Sequence, residues 1–304
     1  MLQQTQVATV LGYFDRFMAR FPSLNDLAQA PIDDVLALWS GLGYYARARN
    51  LHKTACVCLQ RHDGKLPKDP ATLEQLPGIG RSTANAIVAQ AHNQRAVILD
   101  GNVKRVLTRH FGIDGWPGQT EVEKKLWDLA ASLTPHQRAR DYTQAIMDLG
   151  ATVCTRRRPA CDQCPVASDC RAAVEGKTHI WPHPRPKKKK RILEMTLTIC
   201  LNSKNQVLVE KRAAQGIWGG LWCLPETQSL PEIADVGPGP SIEPTRHELT
   251  HRTVWIKFHS LRTNTACCMD QANHRRWLAL SEINTLGFPR PIQRVLETLS
   301  GMDH

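Results

Sequence analysis

The chain has 304 residues, enough for two domains that each bury a core. Lysine and arginine total 39 against 28 acidic residues, a net charge of +11, which suits a polyanionic partner or simply a soluble basic surface. No apolar run reaches the length of a bilayer span and no basic, apolar, small-residue signal opens the sequence, so ten cysteines are expected in a reducing compartment with their thiols free.

Residues 1 to about 175 carry helical periodicity, and no strand-like alternation competes with it. Ser23 is placed to cap one helix carrying Leu24, Leu27, Ile32, Val35, Leu36 and Trp39. Thr72 begins a short helix that ends at Leu76-Pro77-Gly78-Ile79-Gly80, and Arg81–Gln90 form the next. An apolar run, Ala96–Leu99, leads into Asp100, followed by amphipathic helices at Asn102–Phe111, Glu121–Leu133 and Arg138–Gly150. At 176–191 the texture changes: three prolines at alternate positions precede Lys187-Lys-Lys-Lys-Arg191, which predicts an extended linker whose basic run either touches DNA or stays solvated, the second being the default. Beyond it the pattern is β-rich, with strands at Met195–Leu201, at Gln206–Lys211 as its partner, and at Thr253–His259. The expected fold class is multidomain: an all-α domain at 1–175, the linker, and an α+β domain at 192–304.

Three motifs carry chemistry. Cys154, Cys161, Cys164 and Cys170 follow one another as C-x6-C-x2-C-x5-C, so four thiolates within 17 residues can close around one cofactor. Iron–sulfur clusters are held by four such ligands. Zinc is the rival, though its usual paired C-x2-4-C knuckles are represented by a single pair here. The other six cysteines (Cys56, Cys58, Cys200, Cys223, Cys267 and Cys268) lack ligand spacing and read as small core residues. In the second motif, Gly78 and Gly80 permit a tight turn whose backbone N–H groups face outward at a helix start, a geometry that binds phosphate and also serves as a plain interhelical turn. Asp100 is the third. Helix-start donors favour its negative charge, and an N-cap is its ordinary role.

The strings MLQQTQVATV (1–10), GLGYYARARNLHK (41–53), LPGIGRSTA (76–84) and ILDGNVKRVL (98–107), together with the cysteine spacing, resemble adenine DNA glycosylases of the MutY type within the helix-hairpin-helix glycosylase superfamily. The resemblance covers nearly the whole chain and is densest in the first 175 residues. It implies a helical barrel over roughly 1–94 and a module over roughly 95–175 holding one 4Fe-4S cluster, with double-stranded DNA in the cleft between them. The cluster would shape the basic loop Thr155-Arg156-Arg157-Arg158 against phosphates. Asp100 matches the family's catalytic aspartate, whose carboxylate stabilises or traps an oxocarbenium-like sugar. Gln3, Gln4 and Tyr44 match positions that enter the DNA stack when the target base is extruded. Gly78, Gly80 and Ser82 belong to the DNA-binding hairpin, and Lys104 is expected to meet a phosphate or a carboxylate. Ser82 stands where the related endonuclease III enzymes carry a Schiff-base lysine, which implies a monofunctional glycosylase. In the second half, Gly216–Glu226 resembles the substrate-side loop of Nudix domains, without the acidic magnesium-binding box. Thr250 and His251 stand where the family reads 8-oxoguanine with a Phe-Ser-His loop; here Leu249 replaces the aromatic.

The implied activity is base-excision repair: hydrolysis of adenine mispaired with 8-oxoguanine or guanine, by a monomer of bacterial, cytoplasmic, nucleoid-associated type. The family's general-acid glutamate lies two residues ahead of the methionine matching Met1, outside these 304 residues. Two expectations follow. Either the natural start lies upstream, or the chain is a catalytically impaired mispair-binding protein.

Overall fold

The computed structural model describes residues 1–3, 5, 7–186, 190–230, 237–249, 252–263 and 274–301. Two compact units emerge, one formed by Met1–Gln60 with Lys189–His304 and the other by Arg61–Lys188. Among the described residues no helix is long and apolar enough to cross a membrane.

In the first unit, α1 (Val7–Arg20) buries Val10 and Phe17. The Phe17 ring meets Phe21 and Trp39 edge-on at 5.0 and 5.8 Å. Ser23 caps α2 (Leu24–Gln29) in a reciprocal capping box with Asp26. The sequence pattern predicts one helix through Trp39, but Pro31 divides it and α3 (Ile32–Leu38) starts afresh. The cause is local: proline donates no N–H and pushes the preceding residue out of the helical region, and Ala30 sits at ψ 145°. α4 spans Tyr45–Arg61.

Among the described residues, the C-terminal part of this unit is a mixed sheet of seven strands with α11 (Arg290–Gly301). Its strands are β1 (Arg191–Asn202), β2 (Gln206–Lys211), β3 (Trp222–Cys223), β4 (Gly237–Pro238), β5 (Thr245–Glu248), β6 (Arg252–Thr263) and β7 (Arg275–Ala279). β2 is an antiparallel neighbour of β1, as its sequence suggests, yet their register starts at the turn, Leu201 opposite Val207. The long partner of β1 is β6, parallel from Arg191–Arg252 to Asn202–Thr263. Leu197, Ile199 and Leu201 of β1 and Val254 and Ile256 of β6 are buried, as befits paired central strands. These side chains share one apolar cluster with Val10, Phe17, Leu36 and Trp39 of the opening helices and Phe288 and Leu296 near the C-terminus.

In the second unit, Asp69 caps α5 (Pro70–Glu74), accepting from Thr72 N at 2.8 Å. This helix therefore starts two residues before the Thr72 suggested by sequence, with proline in the first turn, where its missing N–H costs nothing. α6 (Arg81–His92), α7 (Gly101–Phe111), α8 (Thr120–Leu133) and α9 (Ala139–Asp148) follow the periodic pattern to within a residue or two. A π-turn at Leu149–Val153 ends α9, and α10 (Arg171–Val174) closes the unit. Val103, Val106 and Leu107 of α7 lie in a core with Leu126 and Ala130 of α8 and Ile146 of α9.

Within the segment expected to be a solvated linker, Trp181 departs from that reading. Trp181 is 4% exposed, its Nε1 donates to Asp114 Oδ1 at 2.8 Å, and its carbonyl accepts from Arg109 Nε at 2.9 Å. An indole of that area gains more by docking than the prolines around it gain from hydration. Lys187, Lys188 and Lys189 of the basic run lie outside the described residues.

Candidate functional site

Asp100 is the N-cap of α7, with extended backbone and its Oδ1 accepting from Val103 N at 2.8 Å. The chain leading to it is held from the hairpin helix at two points. Ser82 Oγ accepts from Leu99 N at 3.0 Å, and Asn85 Nδ2 donates to Val97 O at 2.6 Å. Ser82 thus ties the hairpin to the residue before Asp100. Asn85 was not singled out by sequence; an asparagine one turn after a hairpin carries no signal until its partner strand is known. The hairpin turn uses φ +78° at Gly78, a torsion that favours glycine. Gly80 is the N-cap of α6 and offers no side-chain acceptor to the first N–H groups of the helix. Arg81 stacks over Trp127 at 3.9 Å. Lys104 Nζ lies 2.6 Å from Glu123 Oε1, so of its two expected partners the carboxylate is present.

The four cysteines Cys154, Cys161, Cys164 and Cys170 line one pocket with Arg109. Among the described residues, no three His, Cys, Asp or Glu side chains converge as a single metal ion requires. Four thiol donors around one pocket are the ligand set of an iron–sulfur cluster. Charge agrees. Burial, and then the charges of Cys154, Cys170 and Cys164, push the Cys161 thiol above its ordinary range, so thiolates this close need a cationic centre to share. Arg109 is 2% exposed and has no carboxylate among the described residues. Its guanidinium donates to Cys154 Sγ at 3.3 Å and to the carbonyls of Thr155 (2.7 Å) and Arg156 (3.0 Å). A buried cation with only sulfur and carbonyl partners fits an anionic four-thiolate cluster. Arg105, one turn earlier, donates to Cys154 O at 2.7 Å, Gly150 O at 2.5 Å and Asn102 Oδ1 at 2.9 Å. A Cβ at Gly150 would come within 2.6 Å of Asn102 Cβ, so only glycine lets the π-turn approach α7 this closely. One helix therefore carries Asp100 at its start and grips the cysteine loop with Arg105 and Arg109. Sequence reading passed over both arginines, because α7 had no visible partner.

Outside the cluster, Cys58, Cys200 and Cys223 are buried. Burial pushes the Cys223 thiol up to about 12, which makes it an inert core group. Cys267 and Cys268 lie outside the described residues.

In the first unit, Tyr44 precedes α4 with φ +52° and is 51% exposed as a residue. Gln3 is exposed nearby, its carbonyl accepting from Arg47 Nη1. Gln4 lies outside the described residues. So do Thr250 and His251, which fall between β5 and β6. The strands on either side close a narrow hairpin, with Leu249 N donating to Arg252 O at 2.8 Å. At its base, Glu248 accepts from Lys190 Nζ (2.6 Å), Thr253 Oγ1 (3.0 Å) and Arg246 Nη2 (2.8 Å). These donors hold the Glu248 carboxyl at about 2. A carboxylate pKa depressed on folding adds stability above the unfolded value near 4.5, and that stability is lost as pH falls toward 2. Glu248→Gln is therefore expected to flatten the acid limb of the melting midpoint of this unit between those pH values. An unchanged limb in thermal melts would show that the clamp carries no weight.

Three family models match. Residues 1–132 match a helix-hairpin-helix superfamily base excision DNA repair protein, 154–170 the iron–sulfur binding domain of endonuclease III, and 196–298 a NUDIX domain. An adenine DNA glycosylase of Buchnera aphidicola subsp. Schizaphis graminum is 37% identical over 311 residues, covering 98% of this chain and 88% of that protein. The Homo sapiens adenine DNA glycosylase is 50% identical over 173 residues, 57% of this chain and 32% of its own length. Among solved structures, a thermostable thymine-DNA glycosylase superposes with a TM-score of 0.52 at 27% identity, covering 57% of this chain and 80% of that one. A trapped endonuclease III–DNA covalent intermediate gives 0.51 at 24% identity over 58% of this chain and 81% of that one, a likeness of fold.

Proposed function

Because the chain belongs to the adenine DNA glycosylase family, we propose that it hydrolyses the N-glycosidic bond of adenine mispaired with 8-oxoguanine or guanine in duplex DNA, leaving an abasic site. The observation that carries this reading is the Asp100 carboxylate, fixed at a helix start and tied through Ser82 to a phosphate-binding hairpin. As the bond breaks, its electron pair leaves with adenine, which takes up a proton, and positive charge builds on the sugar, where a preorganised carboxylate stabilises it or bonds to the sugar carbon before water replaces it and supplies the hydroxyl. Ser82 has no amine for a Schiff base, so strand cleavage is not part of the reaction. Gly78 and Gly80 present N–H groups to a backbone phosphate, while the Lys104 charge is met by Glu123. Gln3, Gln4 and Tyr44 fill the space left by the extruded base, the amides at base edges and the ring in the stack. Thr250 and His251 inspect the base opposite, where a hydroxyl can accept from the N7–H that 8-oxoguanine has and guanine lacks.

The chain binds one 4Fe-4S cluster. Cys154, Cys161, Cys164 and Cys170 would hold it, and it supplies a cross-link that shapes the loop Thr155–Arg158. The protein acts as a monomer.

The test is single-turnover release of adenine from a duplex with adenine opposite 8-oxoguanine, using this chain. Release faster than from undamaged adenine–thymine duplex is expected. Tight, mispair-selective binding with no release would favour a mispair-binding protein, and neither selective binding nor release would overturn the reading.

A further inference from the structure

We infer that Arg47 is a positioning residue that locks the opening segment and the Tyr44 ring into a single wedge platform. This rests on the reading that Gln3, Gln4 and Tyr44 enter the DNA stack. Arg47 stands in the first turn of α4. Its Nη1 donates to Met1 O at 2.8 Å and to Gln3 O, and its Nη2 donates to Thr5 Oγ1 at 2.9 Å. The guanidinium carbon lies 5.2 Å from the Tyr44 ring centroid and 5.7 Å from that of Trp39. Trp39 is 1% exposed and its Nε1 donates to Gly43 O at 3.1 Å, which fixes the turn that delivers Tyr44. One planar cation thus touches a rigid buried indole, a half-exposed phenol and three groups of the opening segment.

Packing holds that segment weakly: Met1 is partly buried against the core of its unit. No described side chain among residues 1–9 is buried, and Val10 is the first that is. The hydrogen bonds from Arg47 tie Met1, Gln3 and Thr5 to the helix that follows Tyr44. Only a fork reaches several acceptors while lying flat against rings; a lysine ammonium keeps the charge and loses the geometry. A wedge built from two chain segments works only when both arrive together, and a misplacement of about 1 Å costs on the order of a hundredfold in rate.

The experiment uses the full chain with its cluster and a duplex carrying 2-aminopurine beside the mispair, whose emission rises when the stack opens. Three variants are compared with the parent: Arg47→Lys, Arg47→Ala and Tyr44→Ser. Arg47→Lys is expected to abolish most of the emission rise and to slow adenine release roughly a hundredfold, while affinity for undamaged duplex and the melting midpoint stay near the parent values. Should Arg47→Ala lower iron content or fail to fold, Arg47→Lys alone decides. A parental emission rise that Tyr44→Ser removes and Arg47→Lys leaves intact would overturn the role of Arg47 and keep the wedge. No emission rise in the parent on selective binding would overturn the wedge reading and the inference together.

Discussion

Replacing Asp100 by asparagine is expected to slow single-turnover adenine release about a hundredfold to a thousandfold, the loss typical when one preorganised charge-stabilising group is removed. DNA affinity should change by no more than about two- to threefold, the scale of one charge at a helix terminus. The substitution separates charge from fold because asparagine caps a helix as well as aspartate. Its carbonyl oxygen can still accept from Val103 N, as the Asp100 carboxylate does at 2.8 Å. α7 is in any case held by Val103, Val106 and Leu107, each buried at roughly 1.5–3 kcal/mol and together worth more than a cap. Equal turnover by the variant, with iron content and melting unchanged, would sink the mechanism.

Stripping the iron is expected to unfold Arg61–Lys188. Structural zinc ions contribute on the order of 10 kcal/mol to the folds they hold, against a total stability of about 5–15 kcal/mol for a domain. A cluster bound by four cysteines in this loop belongs to the same regime. Without it, Arg109 faces thiols that repel one another as they ionise, and the carbonyls it gathers lose their reason to converge. Trp181 reports the event, since its carbonyl is bonded to Arg109 and its ring is buried. Chelation should therefore shift its emission to the red as helical circular dichroism falls. An iron-free chain that keeps its ellipticity and binds mispaired duplex normally would refute this role.

How much of this was legible depended on the range of the interaction. The cysteine spacing, the Gly78–Gly80 turn and the Asp100 cap are local, and a few consecutive residues specify each. The helix break at Pro31 was equally local, but periodic leucines on both sides masked it. The rest is long-range. β1 finds β6 across some fifty residues of chain, and nothing in either strand names the other. Arg47, Arg105 and Arg109 look like surface cations in a basic sequence. Their roles exist only once Met1–Thr5, Gly150 and Cys154 have been brought to them. Trp181 was hidden in another way: prolines set an extended backbone, and an extended backbone can dock as well as float.

Tyr44 shows what such a site asks of the free protein. A left-handed torsion in a residue with a β-carbon costs on the order of 1 kcal/mol, and a ring left half in water recovers little of it. The tip is locally frustrated: no choice made for folding alone would put an aromatic residue there. A base stacked on the ring removes that apolar surface from water, though it leaves the torsion as it was. Part of the affinity for an opened duplex is in this sense stored beforehand, as surface the fold declines to cover.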